Sequence, residues 1–279
     1  MKYKFTNVLG TFILDENLNI ISNEGEAEKL PDDKIRQVLS LFKDKQYFQK
    51  FYEENLKLTK QAIKDSVNED QLIIQAISNI NEIDHSNNLL IKRLREWHSL
   101  YFPELSEKTV SNEKFLASLD QKKPKDSMGA ELSKDHLQEM TLLAKEIENL
   151  YRLRRNHEEY LQKIMQTYCP NILELAGVTI GAKLIELAKG LKKLALLPAS
   201  TIQLLGAEKA LFRHIKTGSR SPKHGVIIHH PLVQNSRRDQ KGKAARILAD
   251  KLSLCSRLDY FKGEFKAKEY RKELNEVLG

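Results

Sequence analysis

Side chains able to do chemistry are densest in one segment, Gly206-Ala207-Glu208-Lys209-Ala210-Leu211-Phe212-Arg213-His214-Ile215-Lys216-Thr217-Gly218. As a helix it sets Lys209, Arg213 and Lys216 on one surface through i+4 and i+3 steps, while Ala210, Leu211 and Ile215 turn toward a core. Three cations along a helix suit phosphate, and Gly206 at the start lets a partner's backbone approach where the helix dipole is positive. A solvated helix face would account for the same three charges. Its surroundings favour the binding face: residues 206–279 carry 17 Lys and Arg against 8 Asp and Glu, whereas residues 1–205 carry 29 against 30. From Lys209 to Arg246 ten basic residues meet only Asp239 as an acid, with His214, His224, His229 and His230 interleaved. A surface facing only water normally mixes both signs, so this stretch points to nucleic acid, ahead of an anionic membrane surface or an acidic protein.

Other chemistry is hard to build. Cys169 and Cys255 follow no metal-ligand spacing and fit a reducing compartment. His229-His230 suggests a metal site, but adjacent residues point apart in any regular structure and no carboxylates cluster with them. No glycine-rich turn joins a strand to a helix, and too few strands exist for a doubly wound sheet, so no cofactor, no metal and no catalytic role are expected. No apolar run of about 20 residues is present and the N-terminus has no signal-peptide pattern, which predicts a soluble, intracellular protein without membrane contact.

These residues need elements to hold them, and composition predicts helices. Gly at 12 and Pro at 7 are scarce and 30% of residues are charged, which implies a mainly α protein of two or three modules. Residues 1–63 read as a small α+β module. Val8, Leu9, Phe12, Ile13 and Leu14 make one strand, Asp15-Glu16-Asn17 a turn, and Leu18, Ile20 and Ile21 a second strand, followed by a helix from Pro31. Tyr47, Phe48, Phe51 and Tyr52 read as core, with a partner patch as the alternative. Residues 64–169 hold two seams. Ile73, Ala76, Ile80, Ile83, Asn87, Leu90, Leu94, Trp97 and Tyr101 recur at steps of three and four, and so do Leu143, Ile147, Leu150, Arg154, His157, Leu161, Ile164 and Tyr168. An antiparallel coiled-coil hairpin follows, with Pro103 to Ala130 as the turn region, and it would serve as a dimerisation or spacing arm. Residues 170–279 read as all-α: Thr179 caps a helix to Lys189, further helices run Ser200 to Leu205 and Gly242 to Phe261, and Val226-Ile227-Ile228 is a loop or short strand.

The string GAEKALFRHIKTG resembles the Nop domain of the box C/D ribonucleoprotein scaffolds. The blocks Ser221-Pro222-Lys223-His224-Gly225, His229-His230-Pro231 and GKAARILADKLSLCSRLDYF follow it in that family's order. Upstream, Leu94-Arg95-Glu96-Trp97-His98 and Phe102-Pro103-Glu104-Leu105 are similar to the family's coiled-coil motif, in which an aromatic residue is usual at the position of His98. The resemblance covers residues 65–263 well and the N-terminal module weakly. It implies a scaffold without an active site, which recruits a fibrillarin-type methyltransferase through its N-terminal module. It also implies homodimers through the coiled coil and a grip on box C/D guide RNA at a kink-turn together with a small kink-turn-binding, ribosomal-like protein.

On matching positions the resemblance places Gly206, Ala207, Glu208 and Lys209 at the composite RNA and protein surface, and Ala210, Leu211, Phe212 and Arg213 near guide and substrate RNA. It makes Lys223, Arg246, Lys251 and Arg257 RNA-facing, with structural salt bridges as the alternative for Lys251 and Arg257. The chain ends at Gly279 without the charged tail of eukaryotic members, which implies an archaeal, cytoplasmic version. Its N-terminal module is short for the family, so no fibrillarin-contacting residue is assigned. A splicing-type relative would depart from GAEKALFR, and a purely structural coiled-coil adaptor leaves the C-terminal basic surplus unexplained.

Overall fold

The computed structural model describes residues 2–278. The chain divides between Asn68 and Glu69 into two compact units.

In the first, β1 (Tyr3–Asn7), β2 (Gly10–Leu14), β3 (Ile20–Ser22) and β4 (Glu28–Lys29) form a sheet in the order β3-β2-β1-β4. Neighbours are antiparallel except β4, which runs parallel to β1. The expected strand pair exists as β2 and β3, but Val8 and Leu9 lie in a tighter turn before it, not in a strand. There the Asn7 Oδ1 accepts the Leu9 N–H at 2.8 Å and Gly10 adopts φ +128°, a value side chains resist. Helix α1 (Asp32–Leu41) begins after Pro31 with two acids in its first turn, and Asp44 caps α2 (Lys45–Ser66) by accepting from the Gln46 N–H. The core forms around Phe42, whose ring lies 5.0 Å from Phe12, 5.1 Å from Tyr47 and 5.7 Å from Phe5. The aromatic cluster of α2 therefore splits: Tyr47 and Phe51 pack on this core, whereas Phe48 is 73% exposed and Tyr52 58%.

The second unit opens with α3 (Glu69–His98), which pairs antiparallel with α6 (Lys134–Tyr168); at 1.5 Å per residue they run about 45 Å and about 52 Å. The seams face each other within one chain. Ile73, Ala76, Ile77 and Ile80 meet Leu161 and Met165 at one end; Ile91 and Leu94 meet Met140, Ala144 and Ile147 at the other. Ile83, Leu90, Leu143, Leu150 and Ile164 are half-buried flanks. Asn87 is sealed in the seam with neither amide atom partnered among the described residues, and Arg154 spans it, donating to Asp84 at 2.7 Å and Glu158 at 2.9 Å. Trp97 does not belong to the seam. The apolar steps at this end run Asn87, Ile91, Leu94, His98, so Trp97 turns out to solvent and His98 turns in.

Pro103 to Ala130 is more than a turn. It holds α4 (Pro103–Lys108) and α5 (Asn112–Ala117), whose Leu105, Phe115 and Leu116 are buried against α3 and α6 as a small core at the hairpin tip. Arg95 ties the connection down through the Thr109 carbonyl at 2.8 Å.

The other end of the hairpin is continuous with the core of the remaining helices: α7 (Pro170–Ala176), α8 (Val178–Ala188), α9 (Leu191–Leu196), α10 (Ala199–Leu204), α11 (Glu208–Thr217), α12 (Pro231–Gln234), α13 (Lys241–Tyr260) and α14 (Ala267–Leu278). Ala245, Leu248, Leu252 and Cys255 bury one face of α13 as their spacing requires. Val226–His229 forms a 3₁₀ turn where a loop or short strand was expected. Thr179 is not a cap: α8 starts from Gly177 at φ +76°, and the Thr179 hydroxyl donates to Glu158 of α6 instead. One buried carboxylate organises three helices. Asp259 on α13 accepts the Asn171 N–H at 3.0 Å, the Asn171 side-chain amide at 2.9 Å and the Ile172 N–H at 2.9 Å, capping α7. The Asn171 Oδ1 then accepts from Lys266 and Ala267 at the start of α14.

Candidate nucleic-acid interface

Helix α11 leaves the domain surface with little holding it. Gly206, at φ +86°, makes the turn out of α10, because a Cβ there would come within 3.3 Å of Val226. Its N–H is received by Glu208 at 2.7 Å, and Gly218 ends the helix in a left-handed conformation. Between these ends no residue is buried. Lys209, Arg213 and Lys216 are exposed as expected, and Ala207, Ala210 and Leu211 are half-buried. Ile215 does not turn to the core: it is 70% exposed, and Phe212 is 68% exposed. Ten residues form a weak helix alone, and this one presents its apolar and cationic side chains together, as a surface completed by something else does.

Beyond Gly218 the chain enters an open cleft of about 860 Å³. Arg220, Lys223, His224, Arg238 and Lys241 line it, with Asp239 the one acid. Close backbone approach holds the segments that carry these side chains. A Cβ on Gly225 would lie 1.9 Å from the Leu205 carbonyl oxygen, and the stem of Lys223 lies over Gly242. The Gln203 amide donates to the Lys223 carbonyl at 2.6 Å and fixes that loop. Five cationic or titratable basic groups around one concavity suit a phosphate backbone. Sequence reading singled out Lys223 alone among them; Arg220, Arg238 and Lys241 carried only the signal of a one-signed stretch, because their convergence depends on the 3₁₀ turn and the start of α13.

The remaining sequence candidates separate. Arg246 is exposed on α13. Lys251 pairs with Glu273 and stacks over Tyr270 at 4.8 Å, and Arg257 donates its Nε to the Ala195 carbonyl at 3.2 Å, so both have structural duties. The two histidines part as adjacent residues must. His229 is exposed, whereas His230 is buried, with Nε2 2.9 Å from the Leu175 carbonyl and Nδ1 accepting from Leu232. Burial holds the His230 pKa down. Cys169 and Cys255 are buried, and desolvation pushes the Cys255 thiol up to about 12, far from a reactive thiolate. Among the described residues no group of three or more metal-ligating side chains converges, and no helix is long and apolar enough to cross a membrane.

A family model described as the Nop snoRNA-binding domain matches residues 79–124 and 114–278, spanning the hairpin from within α3, α11 and the basic cleft. The chain belongs to the Nop family. An uncharacterized NOP5 family protein of Methanocaldococcus jannaschii is 44% identical over 244 residues, 78% of this chain and 59% of the relative. Nucleolar protein 56 of Schizosaccharomyces pombe is 36% identical over 230 residues, 71% of this chain and 46% of that one. The chain thus spans about half the length of these Nop relatives. A chain of a solved structure, a crystal structure of a fibrillarin/Nop5p complex, has the same fold, with a TM-score of 0.51 and 24% identity, over 99% of this chain and 100% of that one.

Proposed function

We propose that this protein is the non-catalytic scaffold of a box C/D guide-RNA 2′-O-methylation particle, and that α11 with the basic cleft beside it is the RNA face. The observation that carries the reading is α11 itself: a helix with no buried residue that exposes Phe212 and Ile215 beside Lys209, Arg213 and Lys216. Cations alone would suit bare RNA. Exposed apolar residues among them suit a composite surface of kink-turn RNA and its small kink-turn-binding protein, which covers carbon and phosphate at once. The cleft of Arg220, Lys223, Arg238 and Lys241 extends the grip along the backbone.

The three expected modules keep their assignments in this reading: residues 1–63 for the methyltransferase, 64–169 for self-association, and 170–279 for RNA. Support for the first is the stripe of Phe48, Tyr52 and Leu56 along α2, one turn apart and exposed. The fibrillarin named in that solved complex suggests the class of partner.

Reconstitution tests the RNA face. Bare kink-turn RNA is bound weakly and the RNA with its kink-turn protein tightly. Lys209→Ala with Arg213→Ala removes two phosphate contacts and lowers the salt slope of binding by about 1.5 to 2. Wild-type affinity and slope in the double variant would overturn the assignment.

A further inference from the structure

At the hairpin tip, away from α11, a cavity of about 320 Å³ opens between the end of α3 and the start of α6. That is the small end of the range for ligand sites, roughly 300–1,000 Å³. Its walls are planar or apolar: His98, Tyr101, Leu116, Leu119, Met140 and Ala144. The His98 ring is held edge-on to Phe115 at 5.6 Å and to Tyr101 at 6.0 Å. Among the described residues the ring has no hydrogen-bond partner: Nδ1 is sealed away, which leaves Nε2 as the ring nitrogen open to a ligand, and burial lowers the pKa of the imidazole. A buried polar group left unsatisfied asks for an explanation.

The rim narrows the chemistry. Lys122 and Lys145 are matched by Asp120 and Glu148, so the opening favours no ion of either sign, while Gln121 offers an amide and Thr141, whose hydroxyl donates to the Leu137 carbonyl at 2.9 Å, offers an accepting oxygen. The Tyr101 wall is fixed beforehand. Lys123 lies 5.2 Å over the Tyr101 ring and donates to the Gly129 and Ala130 carbonyls at 2.8 and 3.2 Å, and Gly129 packs so tightly that a Cβ would lie 2.0 Å from the Tyr101 carbonyl oxygen. We propose that this cavity binds an uncharged, planar nitrogen heterocycle of nucleobase size, packed against Tyr101 and hydrogen-bonded by His98 Nε2, the Gln121 amide and the Thr141 hydroxyl oxygen. The same chemistry belongs to a free nucleoside and to a base splayed out of single-stranded RNA. The assignment does not depend on the RNA face of α11.

Adenosine, toluene and an unstructured oligoadenylate titrated into the full chain test this, read by calorimetry and by the His98 ring resonances. Adenosine binds saturably with movement of the His98 resonances, and toluene at the same concentrations binds at least 10-fold more weakly. His98→Phe keeps an aromatic ring in the box and loses at least 10-fold in adenosine affinity. Leu119→Trp, which fills the cavity from its edge, does the same. Oligoadenylate at least 10-fold tighter than adenosine, with that gain lost in His98→Phe, identifies a base in RNA; equal affinities identify a free molecule. No saturable binding, toluene binding as tightly as adenosine, or affinity unchanged in both variants overturns the proposal.

Discussion

Replacing Asp259 tests whether the domain behind the proposed RNA face is held by one buried carboxylate. In Asp259→Ala the Asn171 and Ile172 N–H groups at the start of α7, and the Asn171 amide, lose an acceptor in a place water does not reach, since Asp259 is 4% exposed and Asn171 2%. Leaving a buried donor unsatisfied costs about 1–3 kcal/mol each, and the loss of a helix cap about 1 kcal/mol. Part of this is recovered as Asn171 relaxes, so a loss of about 3–5 kcal/mol is expected for the unit. Asp259→Asn keeps one accepting oxygen and turns an amide donor toward the remaining N–H, so it should cost about half as much. Urea unfolding followed by far-ultraviolet circular dichroism, with the fluorescence of Trp97 as a second probe, measures both variants. Asn171 also receives the start of α14 through its Oδ1, so the Ala variant should expose α14 to proteolysis before global unfolding. A loss below about 1 kcal/mol in Asp259→Ala, with α14 still protected, would show that water or backbone movement replaces the carboxylate and that this relay does not organise the three helices.

The self-association expected of the hairpin cannot use Leu94, which is fully buried in the chain's own tip core; Leu94→Asp should unfold the tip. Trp97→Glu with Leu100→Glu, exposed at the end of α3 and in the turn just after it, should instead yield monomers by light scattering with helicity intact, and an unchanged mass would remove these residues from the contact. Stability should fall as pH drops below about 6.5, because burial depresses the His98 and His230 pKa values and the unfolded chain takes up the protons that the folded rings resist. His98→Phe should flatten part of that acid limb in a urea series across pH, and an identical slope would show His98 takes no part. Lys251→Ala should leave the salt slope of RNA binding unchanged, since Lys251 is committed to Glu273 and Tyr270, whereas Arg238→Ala with Lys241→Ala should lower it by about 1.5 to 2 in the same filter-binding assay.

Periodicity made the long helices legible, because a stripe of Ile and Leu at steps of three and four has no other economical use. Two such stripes joined by a polar turn region predicted an antiparallel hairpin, but the spacing could not show whether a second copy would share the seam. The same spacing serves two chains or one, and here α3 and α6 bury it on each other. At the tip the period drifts by one position, which a heptad template misses: His98 turns in among Tyr101, Phe102 and Phe115 and leaves Trp97 outside. The polar composition of Pro103 to Ala130 concealed α4 and α5 for a related reason, since only Leu105, Phe115 and Leu116 of that stretch are buried hydrophobic residues in a helix, too few to print a period.

At the interface, charge and apolarity gave opposite lessons. The one-signed run from Lys209 to Arg246 located the basic surface because charge counts survive folding, but which of its members meet depends on where the chain turns. Arg220 and Lys241 are 21 positions apart and share a cleft, while Lys251 is drawn off by α14. Apolar residues misled in the other direction. Leu211 and Ile215 were assigned inward on the premise that hydrophobic side chains of a short helix must find a core, yet α11 buries none of its residues. That premise holds for a finished surface. A helix that keeps Phe212 and Ile215 in water next to three cations is stable only in part on its own, and the free energy missing from its fold is what a partner covering both its carbon and its charge can supply.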